Sequence, residues 1–189
     1  MDKETLESRL YEPILENIRN VFDAFYVAES VNHPLQRVPT TWLKNPYLEI
    51  TANGSFSEKL KLHTFNYYMF EKLFAEGLHP DIMGYVSKKV TAKKSSEPEI
   101  ITIEVKAHAL KLRDVMQAKL YESIFGSKHT FLLSPTGMTG EKMEVLLKHQ
   151  ETLRGNVIIG KCGEDGKMLR FDPRLADKMP QCFRRLCRL

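Results

Sequence analysis

Glu104, Val105 and Lys106 end an isoleucine-rich run, Glu99-Ile100-Ile101-Thr102-Ile103, so that a carboxylate and an ammonium fall two residues apart. Side chains alternate faces along a strand, so Glu104 and Lys106 share one face while Ile101, Ile103 and Val105 share the other. An acid and a base at the exit of a buried strand are costly to desolvate unless a metal, a substrate or another partner compensates them. The triplet is a weak sign alone. Acid-x-Lys arises by chance about once per hundred or so residues, and Asp165-Gly166-Lys167 in a Gly-rich turn is a decoy of that kind. A charged strand end at the surface is the commoner explanation.

Context adds to it. His79-Pro80-Asp81 opens the preceding strand candidate, where the missing N–H of a proline does least harm. Across a hairpin, Asp81 would stand about 5 Å from Glu104, and two carboxylates that close repel without a cation between them. Carboxylate oxygens with water and phosphate are what Mg²⁺ prefers, and one or two protein carboxylates suffice. Downstream, Gln117 and Tyr121 lie four apart and share a helix face. Packed back on the strand they would reach a phosphate or Lys106; a surface pair, or a buried tyrosine bonded locally, is the commoner alternative.

These residues need elements to hold them. Apolar residues at helical spacing predict a helix from Leu6 to about Phe25 with Pro13 inside it, followed by a short β-like run from Phe25 to Val31. The proline-rich stretch from 32 to 78 reads as an insertion, with a hairpin around Asn53-Gly54 and a helix from Thr64 to Glu76. The rest reads β-β-α-β-α-β. Its strands are Asp81 to Val86, Ile100 to Lys106, His129 to Ser134 and Asn156 to Lys161, with a polar loop from Thr91 to Pro98. Its helices are Leu112 to Phe125, with Leu112, Val115, Met116, Leu120 and Ile124 as the apolar face and Gly126 as the stop, and Gly140 to Arg154. Strands alternating with helices predict an α/β sheet, and the length suits a single domain over residues 1–189.

Composition excludes more than it identifies. With 42% hydrophobic and 10% aromatic residues the chain suits a soluble globular protein. No apolar stretch approaches the roughly 18 to 20 residues of a membrane span, and the charged N-terminus does not resemble a signal peptide. An intracellular, cytoplasmic protein without a membrane partner is expected. Cys162, Cys182 and Cys187 form neither a disulfide framework nor a zinc ribbon pattern. The net charge of +4 is modest, but Arg174, Lys178, Arg184, Arg185 and Arg188 gather near the C-terminus, and Lys88, Lys89, Lys93 and Lys94 precede the central strand. Such clusters suit phosphates, or simply solvent.

Pro80-Asp81 followed by Glu104-Val105-Lys106 at the end of an Ile-rich strand resembles the PD-(D/E)XK nuclease superfamily, and Gln117-Ala118-Lys119-Leu120-Tyr121 is similar to the Q-x-x-x-Y motif of its RecB-like branch. The resemblance covers about residues 79 to 135. It implies an α/β fold with a restriction-endonuclease-like core, α-β-β-β-α-β, built on a central mixed sheet flanked by helices. It also implies a metal-dependent nuclease, acting on DNA more readily than RNA, in which Asp81 and Glu104, with the Val105 carbonyl, bind Mg²⁺ or Mn²⁺. Lys106 would position or activate the attacking water, and Gln117 and Tyr121 would orient the site or the backbone of the nucleic acid. A helix glutamate near the metal is a further family feature; Glu7, in Glu7-Ser8-Arg9-Leu10-Tyr11-Glu12-Pro13-Ile14, is the candidate and Glu71 its rival. Three cysteines do not supply the four that an iron-sulfur cluster of that branch uses, and a homodimer follows only by analogy. The alternative is a non-catalytic nucleic-acid-binding or scaffolding module that retains the fold.

Overall fold

The computed structural model describes residues 5–32, 42–61, 67–91, 94–149, 154–179 and 181–187. In chain order the elements are α1 (Ser8–Asn32), β1 (Trp42–Ile50), α2 (Glu58–Lys61), α3 (Tyr67–Ala75), β2 (Ile82–Thr91), β3 (Lys94–Val105), α4 (Leu112–Phe125), β4 (His129–Ser134), α5 (Gly140–Lys148), β5 (Val157–Cys162) and β6 (Leu169–Phe171), closed by two 3₁₀ segments, Pro173–Lys178 and Gln181–Cys187. The strands form one mixed sheet in the order β1-β2-β3-β4-β5-β6. β1, β2 and β3 are antiparallel, β3, β4 and β5 parallel, and β6 antiparallel to β5.

β3 sits inside the sheet and its alternation sorts two cores. Ile101, Ile103 and Val105 are fully buried against Leu10, Ile14, Ile18 and Phe22 of α1 and Phe183 of the last 3₁₀ segment. Each such side chain contributes about 1.5–3 kcal/mol by leaving water. On the other face Ile100 joins Phe70, Phe74, Tyr121 and Phe125, while Leu132 and Ile159 pack against Val115 and Ala118 of α4 and Met143 and Leu146 of α5. Glu104 is on this second face, as the alternation requires.

Several elements differ from the sequence reading. The β-like run from Phe25 to Val31 is the last part of α1, which continues to Asn32. The stretch from 32 to 78 supplies β1, α2 and α3, and β1 pairs with β2 along the sheet edge. Pro46 interrupts β1 where its register shifts between Lys44 and Tyr47, so an edge bulge absorbs the missing donor. Asn53-Gly54 lies in the turn that leaves β1, with Gly54 N–H bonded to Thr51 O, and does not join two paired strands. Gly84 faces this edge so closely that a Cβ there would stand 1.9 Å from Tyr47 O. The expected polar loop from Thr91 to Pro98 is largely strand, since β2 runs to Thr91 and β3 starts at Lys94.

The apolar face expected for α4 is also corrected. Asp114, Val115, Ala118, Tyr121 and Phe125 are buried, while Leu112, Met116 and Leu120 remain 39%, 48% and 46% exposed. The helix begins where Asp114 Oδ2 accepts the Lys111 N–H at 2.8 Å and stops at Gly126, at φ 61°, whose N–H bonds Glu122 O. Among the described residues no helix is long and apolar enough to cross a membrane.

Candidate active site

The carboxyl end of β3 is where α1, β2 and α4 meet. The β2–β3 register pairs Ile82 with Ile103, so Asp81, one residue earlier, falls opposite Glu104. Its carboxylate turns toward the α1 side. Oδ2 accepts the Val105 N–H at 2.7 Å and Oδ1 accepts the Tyr11 hydroxyl at 2.9 Å. Val105 is buried, and this bond to its amide ties the middle of the Glu104-Val105-Lys106 triplet to Asp81. Thr51 fixes the approach to Asp81 from behind, donating its hydroxyl to Pro80 O at 2.6 Å while its N–H bonds Asp81 O at 2.8 Å.

On the α4 side, Glu104 is only 3% exposed. Oε1 accepts from Lys106 Nζ at 2.6 Å. Oε2 is buried and has no hydrogen-bond partner among the described residues. Burial is the main reason that the Glu104 carboxyl is pushed up to about 8, with the Asp81 and Glu7 charges adding and Lys106 opposing. Burial likewise raises Asp81 above the ordinary carboxylate range, although Val105 N–H, the Tyr11 hydroxyl and Lys106 pull against it. Desolvation alone would lower Lys106; Glu104, Asp81 and Glu7 outweigh it and raise the ammonium above its usual value. Lys106 therefore stays charged at neutral pH.

Glu7 comes one residue before α1 and reaches the same place, its Oε1 accepting the Ala107 N–H at 3.1 Å. Its charge acts on Asp81, Glu104, Lys106 and Tyr11. Glu71 is remote in its bonding, paired with Lys61 at 2.9 Å on the surface. Gln117 and Tyr121 bond each other, Nε2 to OH at 3.1 Å, which is the local arrangement weighed as the alternative for this pair. Tyr121 is nevertheless buried at the edge of the site. Burial first, then the Glu104 and Asp81 charges, raise its hydroxyl.

No family model matches this chain, and comparison with curated proteins and with solved structures likewise finds no match. The chemistry of the site therefore rests on its own residues.

Among the described residues, no group of three His, Cys, Asp or Glu side chains stands close enough to hold a metal ion. Mg²⁺ does not require three, because water and substrate oxygens complete its octahedron. The donor set suits a hard cation: every candidate is an oxygen, from a carboxylate or the Val105 carbonyl, and the buried Oε2 of Glu104 has no other partner among the described residues. Burying a carboxylate oxygen without a partner costs about 1–3 kcal/mol or more, and a proton or a cation relieves that cost.

Tyr11 is the site residue that sequence reasoning passed over. The signal was present, since Tyr11 follows Glu7 by four residues and so returns to nearly the same side of the chain. Ser134 also carries structure here. It is fully buried, donates to His108 O at 2.8 Å and accepts Gly137 N–H at 2.9 Å. With Lys106 N–H on Leu133 O and Leu110 N–H on Gly137 O, it pins the segment that follows Lys106. Asp165-Gly166-Lys167 lies in an exposed turn where Lys167 N–H bonds Asp165 Oδ1, as a decoy should.

Proposed function

We propose that this protein is a divalent-metal-dependent nuclease that hydrolyses phosphodiester bonds, with DNA as the favoured substrate. The observation that carries the reading is the unpartnered, buried Oε2 of Glu104, held beside the Lys106 ammonium with Asp81 and Glu7 acting on the same point. With α2 and α3, which lie between β1 and β2, set aside, the element order α1, β1, β2, β3, α4, β4 supports it, being the α-β-β-β-α-β order of the nuclease core that the motifs resemble. Its place supports it too, since ligands of open α/β sheets bind beyond the carboxyl ends of the parallel strands.

Glu104 and Asp81, with the Val105 carbonyl and Glu7, would hold Mg²⁺ or Mn²⁺. The ion, when bound, supplies a water of lowered pKa and neutralises phosphate oxygens. Lys106 remains an ammonium, so its role is to orient the attacking water and stabilise charge growing on the phosphate, not to take a proton. Water oxygen forms the new P–O bond as one ester P–O bond breaks; the water gives up its proton to solvent and the departing ester oxygen takes one from solvent. Tyr11 and the Val105 N–H hold Asp81 in position. Tyr121 and Gln117 border the site on the α4 side.

One observation favours the non-catalytic alternative. Both oxygens of Asp81 already have protein donors. Cleavage of circular single-stranded and linear duplex DNA with Mg²⁺, Mn²⁺ or chelator, comparing the native chain with Lys106→Ala, tests the choice. Metal-dependent cutting that disappears in the variant supports the nuclease. DNA binding without cutting by either protein supports the module.

A further inference from the structure

The parallel ladder continues one residue beyond Val105, where Lys106 N–H bonds Leu133 O. The next residue of β4, Ser134, is in register with Lys161 of β5, and Lys161 is in register with Arg170 of β6. Lys106, Ser134, Lys161 and Arg170 thus form a row across the sheet. In-register residues share a face, and this face is that of Glu104, Leu132 and Ile159. With strands about 4.8 Å apart, the backbone at Lys161 lies roughly 10 Å from Lys106 and that at Arg170 about 14 Å.

Two like charges directly opposite on neighbouring strands destabilise a sheet unless something compensates them. Lys161 and Arg170 are both exposed and make no ion pair among the described residues. Asp172, which lines the same cleft, already accepts the Arg174 backbone N–H, Nε and Nη2, and Glu144 pairs with Arg174 Nη1. Gly137, Met138, Met143, Lys161, Arg170 and Pro173 line a cleft of about 260 Å³ at this spot. Its floor is shaped for the lysine, because a Cβ on Gly137 would lie 2.5 Å from Lys161 Cγ. The aliphatic stem of Lys161 therefore crosses Gly137, on the loop that Ser134 and Leu110 pin.

We propose that Lys161 and Arg170 are a phosphate-binding subsite for the polynucleotide strand, which runs from the Glu104–Lys106 site across the ends of β4 and β5 to β6. The direction of this track rests on the nuclease reading; the pair of cations does not. The subsite reads phosphates, not bases, and sets affinity and register along the strand.

The test is the salt dependence of binding to a fluorescently labelled single-stranded oligonucleotide, in chelator, between about 50 and 200 mM salt. The proteins are the native chain, K161Q/R170Q, the charge-keeping K161R/R170K and, as an off-track control, K148Q. Loss of two phosphate contacts flattens the log–log slope by about 1.4. The proposal expects that change in K161Q/R170Q alone, with K161R/R170K and K148Q close to native. In Mg²⁺ cleavage, K161Q/R170Q should raise KM and keep kcat. An unchanged slope, or no binding by the native chain at the lowest salt, overturns the subsite. Metal-dependent cleavage with an unchanged slope removes the subsite and leaves the nuclease; a flattened slope with no cleavage by any protein keeps the subsite and removes the nuclease.

Discussion

The two sides of the β3 exit treat their carboxylates differently. Toward α1, Asp81 is fully partnered, by Tyr11 on one oxygen and the Val105 N–H on the other. Toward α4, Glu104 is more deeply buried and has one oxygen bonded to Lys106 and one bonded to nothing. The first arrangement spends a carboxylate on fixing the backbone of the Glu104-Val105-Lys106 triplet. The second keeps a carboxyl short of partners where desolvation of its charged form is most costly. A proton or an external cation completes Glu104, and neither is needed by Asp81 as it stands. Function is thus expected to centre on Glu104, with Asp81 holding its neighbour.

Glu104→Gln should break this contrast most severely. It keeps the shape and removes the charge, so metal-dependent cleavage should fall by a factor of about 10² to 10³ or more while the fold persists. Stability should respond next. Native Glu104 keeps its proton to about 8, whereas the unfolded chain releases it near the ordinary carboxyl value of 4.5. Between those values the folded state holds more protons, so stability falls as pH rises through the window and levels off above it. Thermal unfolding from pH 5 to 9 should show that decline, of the order of a few kcal/mol, in the native chain and a flatter profile in Glu104→Gln. A steeper profile in the variant would contradict the assignment.

Tyr11→Phe sharpens the other side of the contrast. It leaves Asp81 Oδ1 without its donor and should cost about 1 kcal/mol in chemical denaturation, with a smaller loss of cleavage than Glu104→Gln. If Tyr11→Phe instead abolished cleavage, Asp81 would be as central as Glu104. The smallest effect belongs to α4. Met116→Lys, on the exposed stripe, should change stability by no more than about 0.5 kcal/mol, whereas Val115→Lys, on the buried face, should prevent stable folding.

That helix also shows how far a sequence can be read. Its bounds, Leu112 to Phe125, follow from the helical recurrence of apolar residues and the stop at Gly126 and agree with the structure. Its buried face does not follow from hydrophobicity, because Leu112, Met116 and Leu120 recur every four residues while the packed side carries Asp114 as a cap and Tyr121 beside the site. β3 and β4 are legible because strands buried on both faces read as short, near-continuous β-branched and apolar runs. β1 was hidden by Asn45-Pro46, a turn signal that an edge bulge accommodates. Among the site residues, strand alternation alone puts Glu104 and Lys106 on one face, where they bond. The bond from Tyr11 to Asp81 joins residues seventy apart, and no local pattern specifies such a contact. Burial of Oε2 depends on tertiary packing and has no counterpart in spacing.

The most direct measurement is the proton count on cation binding. Mn²⁺ is titrated calorimetrically into the native chain at pH 7 in two buffers of different ionisation enthalpy, with Glu104→Gln as the comparison. A carboxyl pushed up to about 8 is mostly protonated at that pH, so binding should release about one proton per ion, and the variant should neither bind comparably nor release it. Binding without proton release, or equal binding by Glu104→Gln, would contradict the claim that Glu104 is the cation site.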